Sequence, residues 1–301
     1  MTESGSEVSN GSVVKVGLIQ MRCVADPKVN MANAIKAIRQ AASNGATLVC
    51  LPELFLSEYF CQSHNIEFFD LAEPIPGPST TTLSQLAAEL KITIEASLFE
   101  KRASGLYHNT SVILQPDGEL TGLYRKSHIP HDPLFYEKYY FTPGDTGFLS
   151  TETPAAKVGV LICWDQWYPE AARATAMTGA QMLVYPTAIG WHPSEKAEFG
   201  EAQYSAWQTM QRAHAIANGI FVVSVNRVGH EGDPKGGLEF WGGSFVADPF
   251  GRVLAQASHD HEDVLIVDCD LGLIEETRRN WPFFRDRRID LYQPLTQRFL
   301  N

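Results

Sequence analysis

Hydrophobic and polar positions follow two patterns along the chain, one typical of buried strands and one typical of amphipathic helices. Continuous apolar runs predict strands, whereas apolar residues three or four positions apart predict helices. The predicted strands cover residues 13–21, 47–53, 91–100, 107–115, 118–126, 155–163, 181–186, 220–228, 242–248, 252–257 and 263–270, and the predicted helices cover about 27–44, 79–90, 167–178, 200–218 and 271–280. Because strands and helices alternate without an internal repeat or a linker, the pattern predicts one layered α/β domain.

Two segments fall outside this alternation. A long loop, rich in proline and aromatic residues, runs from Ser127 to Gly147, and a loop of this length in a compact domain is more often functional than idle. Residues 1–12 are polar and lack the charged and then apolar pattern of a secretory signal. We therefore expect a disordered leader at 1–12.

Composition and net charge exclude two classes of partner. The 301-residue chain has 24 Lys and Arg against 35 Asp and Glu, a formal net charge of −11, so the basic surface of a nucleic-acid-binding protein is not expected. Hydrophobic residues make up 44% of the chain, enough for a large core. No stretch approaches the roughly 20 apolar residues that span a bilayer. We therefore expect neither nucleic acid nor a membrane as a partner.

The cysteines are scattered and include no Cys-x-x-Cys pair, which excludes a zinc ribbon and a thioredoxin-type redox motif. They are Cys23, Cys50, Cys61, Cys163 and Cys269. An odd, scattered set predicts free thiols in a reducing cytoplasm. It also leaves one thiol available as a nucleophile.

Cys163 is the candidate nucleophile because it ends an apolar strand immediately before the helical segment WDQWYPEAAR. At such a turn the N–H groups and dipole of the helix would favour a thiolate and could face an oxyanion. A buried structural cysteine is the alternative, and position alone does not separate the two. The other four cysteines lack such a turn, so we expect them to be packing residues.

Two further ionisable residues also end strands. Glu53 closes TLVCLPE, where burial would suit a carboxylate to proton transfer, and Lys126 closes GELTGLYRK, where a cation could stabilise an oxyanion or a thiolate. Each has a simpler interpretation, because charged residues commonly end strands. Three ionisable groups at the same kind of position indicate a site more strongly than any one of them.

Taken with their surroundings, these residues resemble the nitrilase superfamily of carbon–nitrogen hydrolases, with its Glu-Lys-Cys triad. The resemblance rests on LPELFLSEYF, YRKSHIP and GVLICWDQWYPEAAR, and the segments YEKYYFTPGDTGF, PTAIG and FRDRRIDLY look most like the N-carbamoylputrescine amidases. It implies a four-layer αββα sandwich over residues 13–292, followed by a C-terminal tail at 293–301. It also implies a homodimer or a larger homo-oligomer.

Roles for individual residues follow from the resemblance. Glu53 matches the general base, Lys126 the oxyanion-stabilising lysine, Cys163 the nucleophile and Glu137 a second glutamate beside the lysine. A solvated loop carboxylate is the alternative for Glu137. The implied reaction converts N-carbamoylputrescine and water to putrescine, carbon dioxide and ammonia through a thioester, and it needs no metal or other cofactor.

Substrate-binding residues are implied by analogy. They are Tyr59, His128, Tyr136, Trp164 and Trp191, with Asn226 as a further candidate and with Asp132, Glu195 or Glu198 available to pair a distal ammonium. The chain departs from the commonest putrescine-type pattern at residues 131–136 and 191–193. The identity of the amine end of the substrate therefore stays open, and a solvated surface position is the alternative for each acid.

The residues leave two other functions open. One is an amidase or nitrilase that acts on another linear amide, ureido compound or nitrile. The other, from a different class, is a non-catalytic oligomeric binding protein with the same fold. All three triad positions carry the expected residues, which favours the enzyme.

Overall fold

Two six-stranded β-sheets packed face to face form the centre of the protein, seen in a computed structural model that describes residues 13–300. The expected leader at 1–12 lies outside the described residues, as does the last position of the expected tail. The strands are β1 (Val13–Gln20), β2 (Leu48–Cys50), β3 (Thr93–Ala103), β4 (Leu106–Leu114), β5 (Leu120–Arg125), β6 (Ser150–Glu152), β7 (Lys157–Val160), β8 (Met182–Thr187), β9 (Gly190–Trp191), β10 (Phe221–Asn226), β11 (Val228–Glu231), β12 (Leu238–Trp241), β13 (Phe245–Ala247), β14 (Val253–Gln256) and β15 (Asp263–Asp270). The α-helices are α1 (Pro27–Ser43), α2 (Pro78–Leu90), α3 (Glu137–Tyr140), α4 (Pro169–Met177), α5 (Lys196–Asn218) and α6 (Gly272–Asn280).

Parallel strands lie in the middle of each large sheet. The first sheet has the order β15-β1-β2-β3-β4-β5 and the second β14-β13-β10-β8-β7-β6, while β11, β12 and β9 form a small third sheet. β1, β2 and β3 are parallel, as are β7, β8 and β10. β5 runs in the same direction as β3, because both are antiparallel to β4. The residues that follow β2 and β5 are thereby brought to the same edge of the first sheet.

Helices cover the outer faces of both sheets. Ile38 of α1 and Leu83 of α2 share a buried cluster with Ile94 of the first sheet. α4 lies against β7 and β8, and α5 against β10 and β13. Leu48 and Val184, one from each sheet, belong to the core between them. This arrangement confirms the four-layer αββα sandwich. Among the described residues, no helix has the length and hydropathy needed to cross a bilayer.

The predicted elements differ from the observed ones at the turn after β7, and β6, β9 and β12 lie outside the predicted strands. α1 and α2 begin and end within one residue of their predicted limits. The strand predicted at 155–163 is shorter, and Cys163–Trp167 forms a 3-10 turn before α4 starts at Pro169. Proline favours the first position of a helix, because its missing N–H has no partner to lose there. Cys163 is therefore the first residue of a 3-10 turn and not of an α-helix.

A line of polar side chains runs along the inner face of β3 and β4. Ser111 donates a hydrogen bond of 2.6 Å to Oε1 of Glu95, and Ser97 bonds the Asn109 side chain at 3.1 Å. Asn109 in turn donates to Glu53 at 2.7 Å. Glu95 and Ser97 share one face because side chains alternate along a strand. The line connects the centre of the sandwich to the edge at which Glu53 lies.

Glu95 should make the stability of the fold depend on pH. Its side chain is buried, Oε2 has no hydrogen-bond partner among residues 13–300, and burial raises its pKa from 4.5 to about 8, opposed only in part by Ser111. The folded protein thus binds this proton more tightly than the unfolded chain. The contribution of Glu95 to the free energy of unfolding should be complete when the pH is below the pKa of Glu95 in the unfolded chain. It should be lost as the pH rises through about 8, which lowers the free energy of unfolding by at most about 5 kcal/mol.

The variant Glu95→Gln is expected to flatten this dependence, because it keeps the shape of the side chain and removes the titration. Urea denaturation at several values between about pH 5 and 9 measures the slope for both proteins. Glu201→Gln, at an exposed position on α5, is the matched control and should keep the wild-type slope. An unchanged slope in Glu95→Gln would mean that Glu95 is already ionised in the folded protein at neutral pH.

Candidate active site

Four ionisable side chains meet at one edge of the sandwich. Glu53 follows β2, Lys126 follows β5, Cys163 follows β7 and Glu137 begins α3 in the long loop. All four are buried, with exposed fractions of 0% for Glu53 and Glu137, 1% for Lys126 and 4% for Cys163. The fold thus brings together the four residues that the sequence singled out for catalysis.

Lys126 lies at the centre of this group. Its Nζ is 2.7 Å from Oε1 of Glu53 and 2.9 and 2.7 Å from the two carboxylate oxygens of Glu137. Tyr59 donates a hydrogen bond of 2.6 Å to Oε1 of Glu137. A buried ammonium is costly unless groups of opposite charge surround it, and the two carboxylates supply that charge. The position of Nζ is therefore fixed from two sides.

The two carboxylate oxygens of Glu53 have different surroundings. Oε1 accepts hydrogen bonds from Lys126 and from the Asn109 side chain, each at 2.7 Å. Oε2 is buried and has no hydrogen-bond partner within the described part of the chain. Because an ionised carboxylate oxygen is an acceptor only, Oε2 is the one free to take a proton.

Burial and neighbouring charge set the protonation of the group. Burial alone lowers the pKa of Lys126, but Glu137 and Glu53 outweigh it, and its pKa stands well above the usual value. Burial raises the pKa of Glu137 to about 7, against the attraction of Lys126. Burial, joined by the Glu53 carboxylate, raises the pKa of Cys163 well above its usual value. At neutral pH the site therefore contains an ammonium and a protonated thiol.

Asp165 holds the turn that carries Cys163. Cys163 has a left-handed backbone, with φ of +43°, which is strained for a residue other than glycine. Oδ2 of Asp165 accepts from the Ile162 N–H at 2.9 Å and from the Tyr124 hydroxyl at 2.8 Å. Oδ1 accepts from the His128 N–H at 3.0 Å and lies 2.6 Å from its Nδ1. These contacts tie both sides of the turn to the end of β5.

The expectation that this turn favours a thiolate is wrong. α4 begins only at Pro169, so Cys163 does not stand at the N-terminus of an α-helix, and the pKa of its thiol is raised. The physical reason is burial of the sulfur together with the nearby negative charge of Glu53. A base must therefore remove the proton before the sulfur can attack.

A cavity of about 350 Å³ opens onto Cys163, a volume within the range of small-molecule sites. Phe135, Trp164, Trp167 and Trp241 form its aromatic walls. The exposed carboxylates of Asp132 and Glu195 also line it, whereas Glu198 lies outside the lining. No lysine or arginine contributes to the lining formed by residues 13–300. Glu137 lines the cavity as well, so its wall combines aromatic side chains with negative charge.

Besides the acidic candidates, six residues were expected to bind substrate, and of these Trp164 lines the cavity whereas Tyr59, His128, Tyr136, Trp191 and Asn226 lie outside its lining. Tyr59 is 1% exposed and its hydroxyl is engaged by Glu137. His128 is held by Asp165. In this geometry Tyr59 holds Glu137 and His128 holds Asp165, and neither lines the cavity.

The remaining candidates pack around the cavity. The Tyr136 ring lies 4.8 Å from the ring of His64, between centroids. Trp191 is 9% exposed and packs against Trp241. The Asn226 amide accepts from the Ile189 N–H at 3.1 Å and donates to its carbonyl at 3.0 Å, so it fixes one wall of the cavity from outside.

Two residues of the network were missed by sequence reasoning. Asn109 lies within the predicted strand 107–115 and Arg227 within the predicted strand 220–228, where both read as ordinary strand residues. Arg227 is fully buried, and its guanidinium contacts the segment that follows Glu53. A charged residue inside an otherwise apolar run was the available signal, because such a residue needs buried partners.

Metal binding finds no support in the side-chain arrangement. No group of three or more His, Cys, Asp or Glu side chains placed to hold an ion occurs between residues 13 and 300. His128 is taken up by Asp165, and Nδ1 of His259 lies 2.7 Å from the Trp241 carbonyl. These two histidines therefore have partners within the protein.

Comparison with known proteins gives a consistent result. The family model for carbon-nitrogen hydrolases matches residues 15–279. An N-carbamoylputrescine amidase from Solanum lycopersicum is 44% identical over 290 residues, which cover 94% of this chain and 95% of the relative. A citrullinase from Francisella tularensis is 38% identical over 95% of this chain and 99% of its own length. A crystal structure of a carbon-nitrogen hydrolase from Helicobacter pylori superimposes with a TM-score of 0.93 at 46% identity, over 96% and 100% of the two chains.

Proposed function

Since the chain belongs to the carbon–nitrogen hydrolase family and is an enzyme of the amidase type, we propose that it hydrolyses N-carbamoylputrescine to putrescine, carbon dioxide and ammonia. The relatives include one named for a carbamoyl amine and one named for citrulline, an amino acid with the same ureido group. The observation that favours the amine is the charge of the cavity, which has Asp132 and Glu195 in its lining and no lysine or arginine from the described residues.

In the proposed first step, Oε2 of Glu53 takes the proton of the Cys163 thiol while the sulfur attacks the ureido carbon. The carbonyl electron pair moves to oxygen, and Nζ of Lys126 with the N–H of Trp164 stabilises the resulting oxyanion. Glu137 supports this step indirectly, because it holds Lys126 and offsets its charge. The unpartnered oxygen of Glu53 and the raised pKa of Cys163 support this assignment.

In the second step the electron pair returns and the carbon–nitrogen bond breaks. Glu53 gives its proton to the leaving nitrogen, ammonia departs, and a carbamoyl thioester remains on Cys163. Glu53 then removes a proton from water as the water attacks the thioester, and the sulfur leaves with a proton. The released carbamate decomposes to carbon dioxide and the free amine.

The charge of the cavity separates the two ureido substrates. The ammonium of N-carbamoylputrescine would be attracted to Asp132 and Glu195, and the tryptophan faces of the wall favour a cation as well. Citrulline carries the same ammonium together with a carboxylate at that end, and the carboxylate would meet two like charges without a lysine or arginine from the lining. The cavity therefore favours the decarboxylated compound.

A substrate panel tests the proposal. Ammonia release is measured with N-carbamoylputrescine, citrulline, an ω-amide with a free carboxylate and a nitrile. Asp132→Asn and Glu195→Gln are each expected to raise KM for N-carbamoylputrescine several-fold, and the double variant about tenfold, with little change in kcat. Their KM for citrulline should change less, because the attraction lost at its ammonium is offset by the repulsion relieved at its carboxylate.

Glu198→Gln is the matched control, since Glu198 lies in the first turn of α5, three residues after Glu195, but outside the cavity lining. The KM of this variant should equal that of the wild type. A preference for citrulline, the ω-amide or the nitrile would contradict the proposed substrate, but the assignment as a carbon–nitrogen hydrolase would still hold. A folded protein that releases ammonia from none of them would favour a non-catalytic binding role.

We further propose a homo-oligomer, with a hydrolase domain at 13–292 followed by a tail at 293–301. Exposed large apolar side chains concentrate after α6, namely Trp281, Phe283, Ile289, Leu291, Leu295, Phe299 and Leu300. A patch of this kind is typical of a surface that a second copy of the chain covers. Light scattering measures the mass, and a monomer would contradict the proposal.

A cytoplasmic location is supported by the five free, buried thiols.

A further inference from the structure

We propose that Arg227 and Glu231 form a buried positioning pair that holds Glu53 and Glu137 on either side of Lys126, an inference that rests on the proposed roles of these three residues. Arg227 follows β10 directly and Glu231 ends β11. They are 0% and 3% exposed, and Nη1 of Arg227 lies 3.0 and 2.9 Å from the two oxygens of Glu231. Neither residue lines the cavity, so neither contacts substrate.

The guanidinium holds the backbone from which Glu53 projects. Nη2 donates to the carbonyl of Glu53 at 2.7 Å and to that of Leu54 at 2.9 Å, and Nη1 donates to the Ser57 carbonyl at 3.1 Å. Leu54 has φ of +50°, a left-handed conformation that is unfavourable for leucine. Strained backbone persists only where the surroundings hold it. The planar fork of Arg227 supplies that restraint immediately beside the proposed base.

Glu231 extends the restraint to the second carboxylate. Its Oε2 accepts from the Tyr59 N–H at 2.6 Å, and the Tyr59 hydroxyl donates to Glu137 at 2.6 Å. Glu137 binds Lys126, which binds Glu53, and Glu53 returns through its carbonyl to Arg227. The contacts form a closed ring that includes both carboxylates of the site and the lysine between them.

The charged members of the ring also influence the protonation of the site. It contains three carboxylates and two cations, all buried, so each charge acts on the others through a poorly screened interior. Arg227 places a positive charge behind Glu53, and Glu231 places a negative charge on the far side of Arg227. Removing either charge should change the ease with which the site carboxylates take up protons, whereas a purely structural pair would not affect that property.

Two conservative variants separate geometry from charge. Arg227→Lys keeps the charge but cannot form the fork to three carbonyls, so we expect kcat to fall about 100-fold while KM changes less than about threefold. Glu231→Gln keeps an acceptor for Tyr59 and removes the charge. Its loss makes the site carboxylates harder to protonate, so the acidic limb of the kcat/KM profile should move to lower pH.

Arg252→Lys is the matched control. Arg252 pairs with the buried carboxylate of Asp248 in the turn between β13 and β14, outside the cavity lining, and this variant should keep the wild-type kcat and pH profile. Folding of each variant is checked by circular dichroism and thermal unfolding. A folded Arg227→Lys with wild-type kcat would overturn the proposal, and so would a Glu231→Gln profile with an unmoved acidic limb.

A substrate-independent measurement separates failure of this inference from failure of the proposed function. The rate at which iodoacetamide alkylates Cys163, followed by peptide mass mapping, reports on removal of the thiol proton. We expect it to be slower in Arg227→Lys than in the wild type and Arg252→Lys. If the wild type releases no ammonia from any compound, the proposed function fails, and equal alkylation rates in the three proteins would additionally overturn the positioning role.

Discussion

Replacing Cys163 with alanine is expected to abolish ammonia release, with a loss of about 10⁴-fold or more, while the fold persists. The reason is that no thioester can form without the sulfur, and the remaining groups are arranged for attack by a thiol and not by water alone. The side chain is 4% exposed and small, so its truncation should cost only about 1 kcal/mol of stability. A coupled ammonia assay and urea denaturation measure the two quantities separately.

Cys61→Ala provides the matched control for this prediction. Cys61 is also fully buried, and burial raises its pKa well above the usual value, yet it belongs to an aromatic core cluster and does not line the cavity. We expect its activity to stay within a few-fold of the wild type. An unfolded Cys163→Ala protein would instead assign Cys163 a structural role, and a folded, active one would rule out the thioester.

The meeting of Glu53, Lys126 and Cys163 could be predicted from the sequence because each follows a strand. The order of the strands shows why this signal works. β2 and β5 run in the same direction, so their carboxyl ends lie at the same edge of the first sheet, and β7 ends opposite them across the sandwich. Apolar runs mark the strands, and Glu53, Lys126 and Cys163 each stand at or just beyond the end of such a run, so the sequence contains the position of these groups along the strands.

The hydrogen bonds that hold these groups in position could not be predicted in the same way. Arg227 reaches back to Glu53 and Leu54, and Tyr59 reaches forward to Glu137, across long separations in sequence. No local periodicity specifies such contacts, because they join segments that only the complete fold brings together. A buried charge in an apolar run shows that a partner exists and does not show which residue it is.

The protonation state of Cys163 was predicted wrongly for a related reason. Sequence pattern placed the thiol at the start of a helix, where the dipole would lower its pKa. Pro169 delays α4, and the sulfur instead lies in a buried turn beside the Glu53 carboxylate. The start of a helix depends on neighbouring residues, whereas burial depends on the whole fold. The expected effect of a helix start on the thiol pKa was therefore outweighed by burial of the sulfur, which the sequence does not show.

Lys126→Met is expected to reduce the rate of ammonia release about 10³-fold or more. It should also lower the free energy of unfolding by about 3–5 kcal/mol at neutral pH. The large loss of stability follows because two buried carboxylates, Glu53 and Glu137, would lose the only ammonium that contacts both within the described residues. Without it the pKa of the buried Glu137 should rise further above its usual value, so the variant should be relatively more stable at acidic pH and lose stability as the pH rises.

Chemical denaturation of wild type and Lys126→Met at about pH 5.5 and about pH 8 tests this sign. Lys157→Met is the control, since Lys157 pairs with an exposed Glu152 and its loss should cost less than about 1 kcal/mol at either pH. Adding Glu137→Gln to Lys126→Met should recover part of the stability, because one buried charge is removed, but it should not recover ammonia release. Recovery of both would mean that Lys126 serves only to neutralise Glu137, and the oxyanion would then need another donor.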